Sequence, residues 1–179
     1  MQKYEYYNYN YYGDENIGYK FPKSAYRDLL KACFEHSSFF SVRIMGIKAA
    51  DKIPQELDKF RIATSERVLE LYGIRTIYDG DSYATQEIRC YKLSAEVCDF
   101  ILNFTDDLFE WNYVCGDENP EDPMFFRNDE SVFFYSSIHD EYCYLLVKPN
   151  ENVDSIIQRR NAEDGTISWV KNTGDGSMC

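Results

Sequence analysis

The chain has 179 residues, with 19 Lys+Arg against 31 Asp+Glu, a formal net charge of −12 and a pI near 4.6. With 44% apolar, 17% aromatic and 28% charged residues it falls outside the collagen-like, coiled-coil and fully disordered classes, and no run approaches the ~18 apolar residues of a membrane span. One domain is expected at this length, and the charge argues against gripping nucleic acid by its phosphates, which takes clustered Lys and Arg.

Six tyrosines lie in the first twelve residues: Tyr4, Tyr6, Tyr7, Tyr9, Tyr11 and Tyr12. With Asn8 and Asn10 between them they read either as an association-prone tail or as an edge strand. The strand needs a bulge between Tyr6 and Tyr7, because Tyr4 and Tyr6 share one phase while Tyr7, Tyr9 and Tyr11 share the other. A base-stacking tract would have only Lys3 and Lys20 to hold a phosphate backbone and ranks last. The segment lacks the basic stretch and apolar run of a secretory signal, so a cytoplasmic protein is expected.

Pro22 and Ser24 introduce a helix with the apolar stripe Tyr26, Leu29, Leu30, Cys33 and Phe34, closed by His36. FFSVRIMG, with Phe40, Val42 and Ile44 in one phase, reads as a strand ended by Gly46. From Pro54, Leu57, Phe60, Val68 and Leu71 follow a helical stripe up to Gly73, with Thr64-Ser65 as a point where it divides. Residues 74–78 and 87–92 read as a hairpin around Asp79-Gly80-Asp81. Ser94 caps a helix carrying Val97, Phe100, Ile101, Phe104 and Leu108, and FEWNYVC alternates as a strand. The acidic loop GDENPEDP follows.

Residues 124–127, 131–138 and 142–148, separated by Asn128-Asp129-Glu130 and His139-Asp140-Glu141, form a predicted three-stranded antiparallel meander. A short helix with Val153, Ile156, Ile157 and Arg160 closes it, and 166–170 with Trp169 adds an edge strand. The predicted fold is therefore α+β: a largely antiparallel sheet with a C-terminal meander and three to four helices packed on one face. Its divisions are a Tyr/Asn-rich segment over 1–20, a single domain over 21–171 and a mobile tail over 172–179.

Cys33, Cys90, Cys98, Cys115, Cys143 and Cys179 include no C-x-x-C pair, so reduced thiols are expected rather than a zinc site or a redox motif. Glycine-rich phosphate loops are absent, and no local signature selects a Cys–His nucleophile. Arg159-Arg160 reads as a solvated basic pair. One constellation comes from topology. The hairpin brings the start of one strand beside the end of the next, placing Glu121 and Asp122 near His139, Asp140 and Glu141. Carboxylates with a histidine are donors for a divalent metal or acid–base work. The plainer explanation, which weighs more, is that turns are rich in Asp and Glu because they face water. No cofactor and no metal are expected.

Within residues 91–146, YKLSAEVCDFILNF, LFEW, PEDPMFF and FFYSSIHDEYCYLL resemble small uncharacterised bacterial proteins, mainly from Firmicutes, some labelled as sporulation proteins. In those, Pro-Glu-Asp, two residues and an aromatic pair precede a strand ending in His-Glu; here Asp140 follows the histidine. The resemblance implies that Glu121, Asp122 and His139 are a shared feature, and it supplies no reaction.

The expected function is an acidic interaction module that occupies a basic protein surface, as inhibitors and immunity or anti-defence proteins do. Its contact residues are Asp117, Glu118, Glu121 and Asp122, with Trp111 as either core or an aromatic rim, core being the stronger reading. The alternative is a metal-assisted hydrolase using Glu121, Asp122 and His139. No nucleic-acid or membrane partner is expected.

Overall fold

Alternation along FFSVRIM places Phe40, Val42 and Ile44 on one side of a strand and Phe39, Ser41 and Arg43 on the other, and the fold is built on both sides of it. The structure is a computed structural model that describes residues 1–7, 21, 23–73, 86–114, 117–157 and 169–172. In chain order the elements are β1 (Gln2–Tyr7), α1 (Lys23–His36), β2 (Phe39–Met45), α2 (Ile47–Asp51), a 3-10 segment (Gln55–Phe60), β3 (Arg61–Ile62), α3 (Glu66–Leu71) and β4 (Gln86–Lys92). There follow α4 (Ala95–Phe104), a 3-10 turn (Leu108–Glu110), β5 (Tyr113–Val114), β6 (Asp117–Glu118), β7 (Glu121–Phe126), β8 (Val132–Ser137), β9 (Tyr142–Val147), α5 (Asp154–Ile157) and β10 (Val170–Asn172).

Eight strands form one antiparallel sheet in the order β10-β1-β9-β8-β7-β2-β4-β3, while β5 and β6 make a separate two-residue pair. The α+β class and the C-terminal meander β7-β8-β9 are as the alternation and turn residues required. One face carries Phe40, Tyr91, Phe125, Phe134 and Leu145 against Leu29, Leu30 and Cys33 of α1 and Val97 and Ile101 of α4. The other face packs Phe39, Ile88, Cys90, Met124 and Phe126 with Val68 of α3 and Tyr72. Rings stack across neighbouring strands, with Phe39–Phe126 centroids 5.0 Å apart and Phe40–Tyr91 5.6 Å apart. Burying each such side chain contributes ~1.5–3 kcal/mol.

The helices begin where capping chemistry places them. The Ser65 hydroxyl accepts the Val68 N–H at the start of α3, and Ser94 accepts the Val97 N–H at the start of α4. Gly73 takes φ +70 just past α3, a left-handed angle that only glycine adopts without strain. Thr64-Ser65 does divide the 57–71 stripe, and the extended residues Arg61 and Ile62 pair with Tyr91 and Cys90 of β4.

Four expectations are corrected. The segment Gln2–Tyr7 is a strand, but an interior one: it lies between β9 and β10, with unbroken register from Gln2↔Val147 to Tyr7↔Tyr142 and no bulge. Over its described residues, Phe109 to Val114, FEWNYVC is not one strand. Phe109 and Glu110 close a 3-10 turn whose capping Asp107 side chain accepts the Phe109 N–H, and only Tyr113 and Val114 pair. The acidic stretch is not an exposed loop, since Asp117–Glu118 and Glu121–Phe126 are strands and every residue of the latter is buried. Asn172 closes β10 rather than opening a tail. The predicted strand 74–78, residues 8–20, Arg159-Arg160, Cys115, Cys179 and the tail from 173 lie outside the described residues. Among the described residues, Cys33, Cys90, Cys98 and Cys143 are free thiols, and no helix is long and apolar enough to cross a membrane.

Tyr6 shows what β1 contributes. Its ring meets Phe21 at 5.3 Å, Trp169 at 5.9 Å and Phe109 at 6.3 Å, and burial pushes its hydroxyl up to about 12. Aromatic pairs are worth about 0.5–1.5 kcal/mol each beyond area, so Tyr6→Leu is expected to lower stability by ~1–2 kcal/mol in urea unfolding. An unchanged midpoint would mean that β1 docks without stabilising the core.

Candidate functional site

The site grows out of a break in strand alternation. Ser41 faces Met124 and Arg43 faces Glu121, so Asp122 and Pro123 together oppose the single residue Val42. Such a two-against-one bulge re-aims side chains, and in one of its forms a bulged residue is left-handed. Asp122 is that residue here, at φ 50, a region Asp tolerates better than most residues, and Pro123 has no N–H to leave unpaired. The Pro123 carbonyl instead accepts the Ser136 hydroxyl at 2.7 Å. Glu121 and Asp122 thereby turn into the sheet, with side chains only 1% and 6% exposed.

Each carboxylate then meets its own partner. Glu121 Oε1 lies 2.8 Å from Nε2 of His139, whose ring is 58% exposed. Asp122 Oδ1 accepts the Ile138 N–H at 2.7 Å, and Asp122 Oδ2 lies 3.4 Å from the Arg43 guanidinium. Burial raises the Asp122 carboxyl above its ordinary range, against the Ile138 N–H and Arg43, which pull it down. Tyr72 donates to the Asp122 carbonyl oxygen at 2.9 Å. Its one proton being so used, the Ser41 hydroxyl 2.8 Å away donates to the Tyr72 oxygen. Burial lifts the Tyr72 hydroxyl well above its usual value, which keeps that donor protonated. Arg43 also donates to the Tyr72 carbonyl at 3.1 Å, and its Nε is buried without a hydrogen-bond partner.

The predicted rim is therefore assembled in part. Glu121, Asp122 and His139 come together, whereas Asp140 turns outward, exposed, and accepts the Ser137 hydroxyl at 2.6 Å. Glu141 serves the turn, with φ 48 and its N–H on the Ile138 carbonyl at 3.0 Å. Glu118 is held by Lys48 at 3.0 Å, and Asp117 pairs with Val114 in β6. Trp111 lies wholly inside, its indole N–H on the Tyr26 oxygen at 2.6 Å, so it offers no face to a partner.

Ser41, Arg43 and Tyr72 were not among the sequence candidates. The signal was present: Ser41 and Arg43 are polar residues in the phase opposite Phe40, Val42 and Ile44, on a strand whose two faces are buried. As donors, the residues present do not make a cation cage. Glu121 and His139 bond to each other, Asp122 is engaged by Ile138 and Arg43, and among the described residues no group of three or more His, Cys, Asp or Glu could hold a metal ion. What the arrangement does is hold one exposed imidazole against a buried carboxylate, fixing its ring orientation. No protein-family model matches the chain, and no curated protein or solved structure matches it.

Proposed function

We propose that the protein is an acidic interaction module that covers a basic surface on a partner protein in the cytoplasm, as an inhibitor or an immunity or anti-defence protein would. The observation that carries this reading is how the charges are spent. Lys23 and Arg27 meet Asp106, Lys31 meets Asp28, Lys59 meets Glu96, Arg61 and Arg89 meet Glu87, Arg127 meets Glu151 and Lys148 meets Asp129. Most cations of the described residues are thus paired within the molecule, and beside the exposed Arg67, Lys92 and Lys171 stand the more numerous exposed acids Glu35, Asp51, Glu56, Asp58, Glu66, Glu70, Asp99, Asp140 and Asp154. The surplus of −12 is left to act outward, and a field of one sign speeds encounter with the opposite sign. On this reading the turn bearing His139 and Asp140 belongs to the contact.

Asp140→Asn with Glu66→Gln and Glu70→Gln is expected to slow association with a partner captured from lysate while leaving the fold intact, since exposed substitutions usually change stability by under ~0.5 kcal/mol. Association should also weaken as salt shortens the Debye length from ~10 Å at 0.1 M to ~3 Å at 1 M. Binding indifferent to both salt and the charge variants would sink the proposal. The second reading, a metal-assisted hydrolase at Glu121, Asp122 and His139, is favoured only by the Glu121–His139 contact. Calorimetric titration with Mn²⁺ or Zn²⁺ tests it: stoichiometric binding that disappears in His139→Ala would put the hydrolase first.

A further inference from the structure

On the face of the sheet that carries α3, the one helix there among the described residues, Val68 and Tyr72 pack with Phe39, Ile88, Cys90, Met124 and Phe126. Farther along the same face, Tyr135 of β8 and Tyr142, Tyr144 and Leu146 of β9 are half-buried, with Lys3 and Glu5 of β1 beside them in register. We propose that this tyrosine face is where the partner docks, and that it takes an extended basic segment through an arginine guanidinium laid on the Tyr135 ring beside Asp140. Such docking rests on reading the protein as a module for a basic surface, and fixes where that surface lands.

The three rings form one patch. Tyr135 and Tyr144 stack with centroids 4.7 Å apart and planes 9° from parallel, and Tyr142 lies 5.8 Å from Tyr144 and 6.4 Å from Tyr135. Tyrosine presents a large, rigid contact area with few rotatable bonds to freeze. The molecule itself shows what these rings hold: Lys3 Nζ sits 4.4 Å from the Tyr144 centroid and 5.7 Å from that of Tyr142. The negative face of an aromatic ring attracts a cation placed over it.

The neighbouring charges choose the sign of the partner. Lys3 is neutralised by Glu5 at 2.6 Å, and Arg43 by Asp122 at 3.4 Å. Asp140 is exposed and has no cation partner among the described residues. Its Oδ2 takes the hydroxyl of Ser137, which shares a strand phase with Tyr135 and faces Tyr142 across the ladder. Burial raises the Tyr135 hydroxyl above its ordinary value, Asp122 and Asp140 adding to the rise and Arg43 opposing it. A second copy of the chain would bring its own charge of −12 to this face and be repelled. Arginine suits the ring better than lysine, since its planar, weakly hydrated guanidinium stacks flat while its outer N–H groups reach a carboxylate.

The test is an NMR titration of the full-length protein, ¹³C-labelled in its tyrosine rings, with the blocked pentapeptide Arg-Val-Arg-Val-Arg and its counterparts carrying Glu or Ser in place of Arg. Only the arginine peptide is expected to shift the Tyr135 and Tyr144 rings saturably, with a Kd of about 0.1–1 mM. Tyr135→Leu should weaken it about three- to tenfold, while Tyr135→Phe, which keeps the ring, should bind within about twofold of wild type. Asp140→Asn, an exposed change, should weaken it about threefold and carries the test by itself if Tyr135→Leu fails to fold. Rings unmoved by the arginine peptide, an equal response to the Glu or Ser peptide, or folded Tyr135→Leu and Asp140→Asn variants that bind like wild type overturn the proposal. A lysate partner whose association falls with Glu66→Gln and Glu70→Gln but not with Tyr135→Leu would overturn this face alone and leave the basic-partner reading standing.

Discussion

Arg127→Ala is expected to destabilise the protein by about 3–5 kcal/mol, the usual cost of leaving one partner of a buried ion pair behind. Arg127 opens the β7–β8 turn, and almost all of its donors are used. Nε and Nη2 grip the two Glu151 oxygens at 2.6 Å, Nη1 reaches the Val132 carbonyl at 2.6 Å and Nη2 reaches the Leu146 carbonyl. The guanidinium also lies 5.3 Å over the Phe133 ring, the extra residue of the β8 bulge between Phe125↔Phe134 and Phe126↔Val132. One side chain thus ties β7, β8, β9 and the chain entering α5. For a domain of this size the melting temperature should fall by roughly 10 °C. A loss below ~1 kcal/mol would show that Glu151 finds water and that the pair is not structural.

The pH dependence of this variant is a second readout. Burial pushes the Glu151 carboxyl up, but Arg127 and the Lys148 N–H outweigh it and hold it below its ordinary range. A lowered folded-state value means that the stabilisation is present above the unfolded pKa of about 4.3 and is lost as pH falls through the folded value. Wild type should therefore lose stability below about pH 4 in part through Glu151. In Arg127→Ala the carboxylate has lost its main partner, so the gap between wild type and variant should narrow on acidification.

Trp111→Ala should cost about 3–5 kcal/mol, the range for truncating a fully buried aromatic. Tyr26→Phe isolates the polar part of that loss. It removes only the oxygen that accepts the indole N–H at 2.6 Å, stranding a buried donor at a cost of ~1–3 kcal/mol. Burial holds the Tyr26 hydroxyl well above its ordinary value, so the bond should persist across the pH range in which the fold survives. Because the two residues share one bond, Tyr26→Phe in a Trp111→Phe background should cost less than Tyr26→Phe does in the wild type, as chemical denaturation would read it. Strict additivity would mean that the indole N–H has another acceptor. Partner association should change in these variants only as far as folding does, since Trp111 has no surface to offer.

The site was legible to the extent that a hairpin is legible. Asn128-Asp129-Glu130 and His139-Asp140-Glu141 are turn residues, and the runs between them alternate, so the proximity of residues 121–122 to 139 followed from strand geometry alone. Alternation could not show that the strand begins at Glu121 or that Asp122-Pro123 forms a bulge. An Asp-Pro pair after Asn-Pro-Glu carries the same local chemistry in a loop and in a bulge. What separates the two is the strand alongside: β2 supplies the ladder that buries Glu121 and the Arg43 that meets Asp122.

Local periodicity and capping by themselves determined α1, α4, β2 and the meander, because an amphipathic stripe or a period-two run has one way to bury its apolar side, and Ser65, Ser94 and Gly73 mark ends through bonds or angles spanning a few residues. The tertiary structure alone decided which strands are neighbours. The tyrosines of β1 suit an edge as well as an interior position, and only β10, from the far end of the chain, covers the outer side of β1. It also decided that the stretch around Trp111 turns rather than runs as a strand, since the alternation of FEWNYVC is outweighed by the packing of Phe104 and Tyr26 around the indole, whose burial the sequence already favoured. In both cases the deciding contacts join residues distant in sequence, and their free energy exceeds the few tenths of a kcal/mol per residue by which local preferences differ, about 0–0.7 among ordinary helix formers.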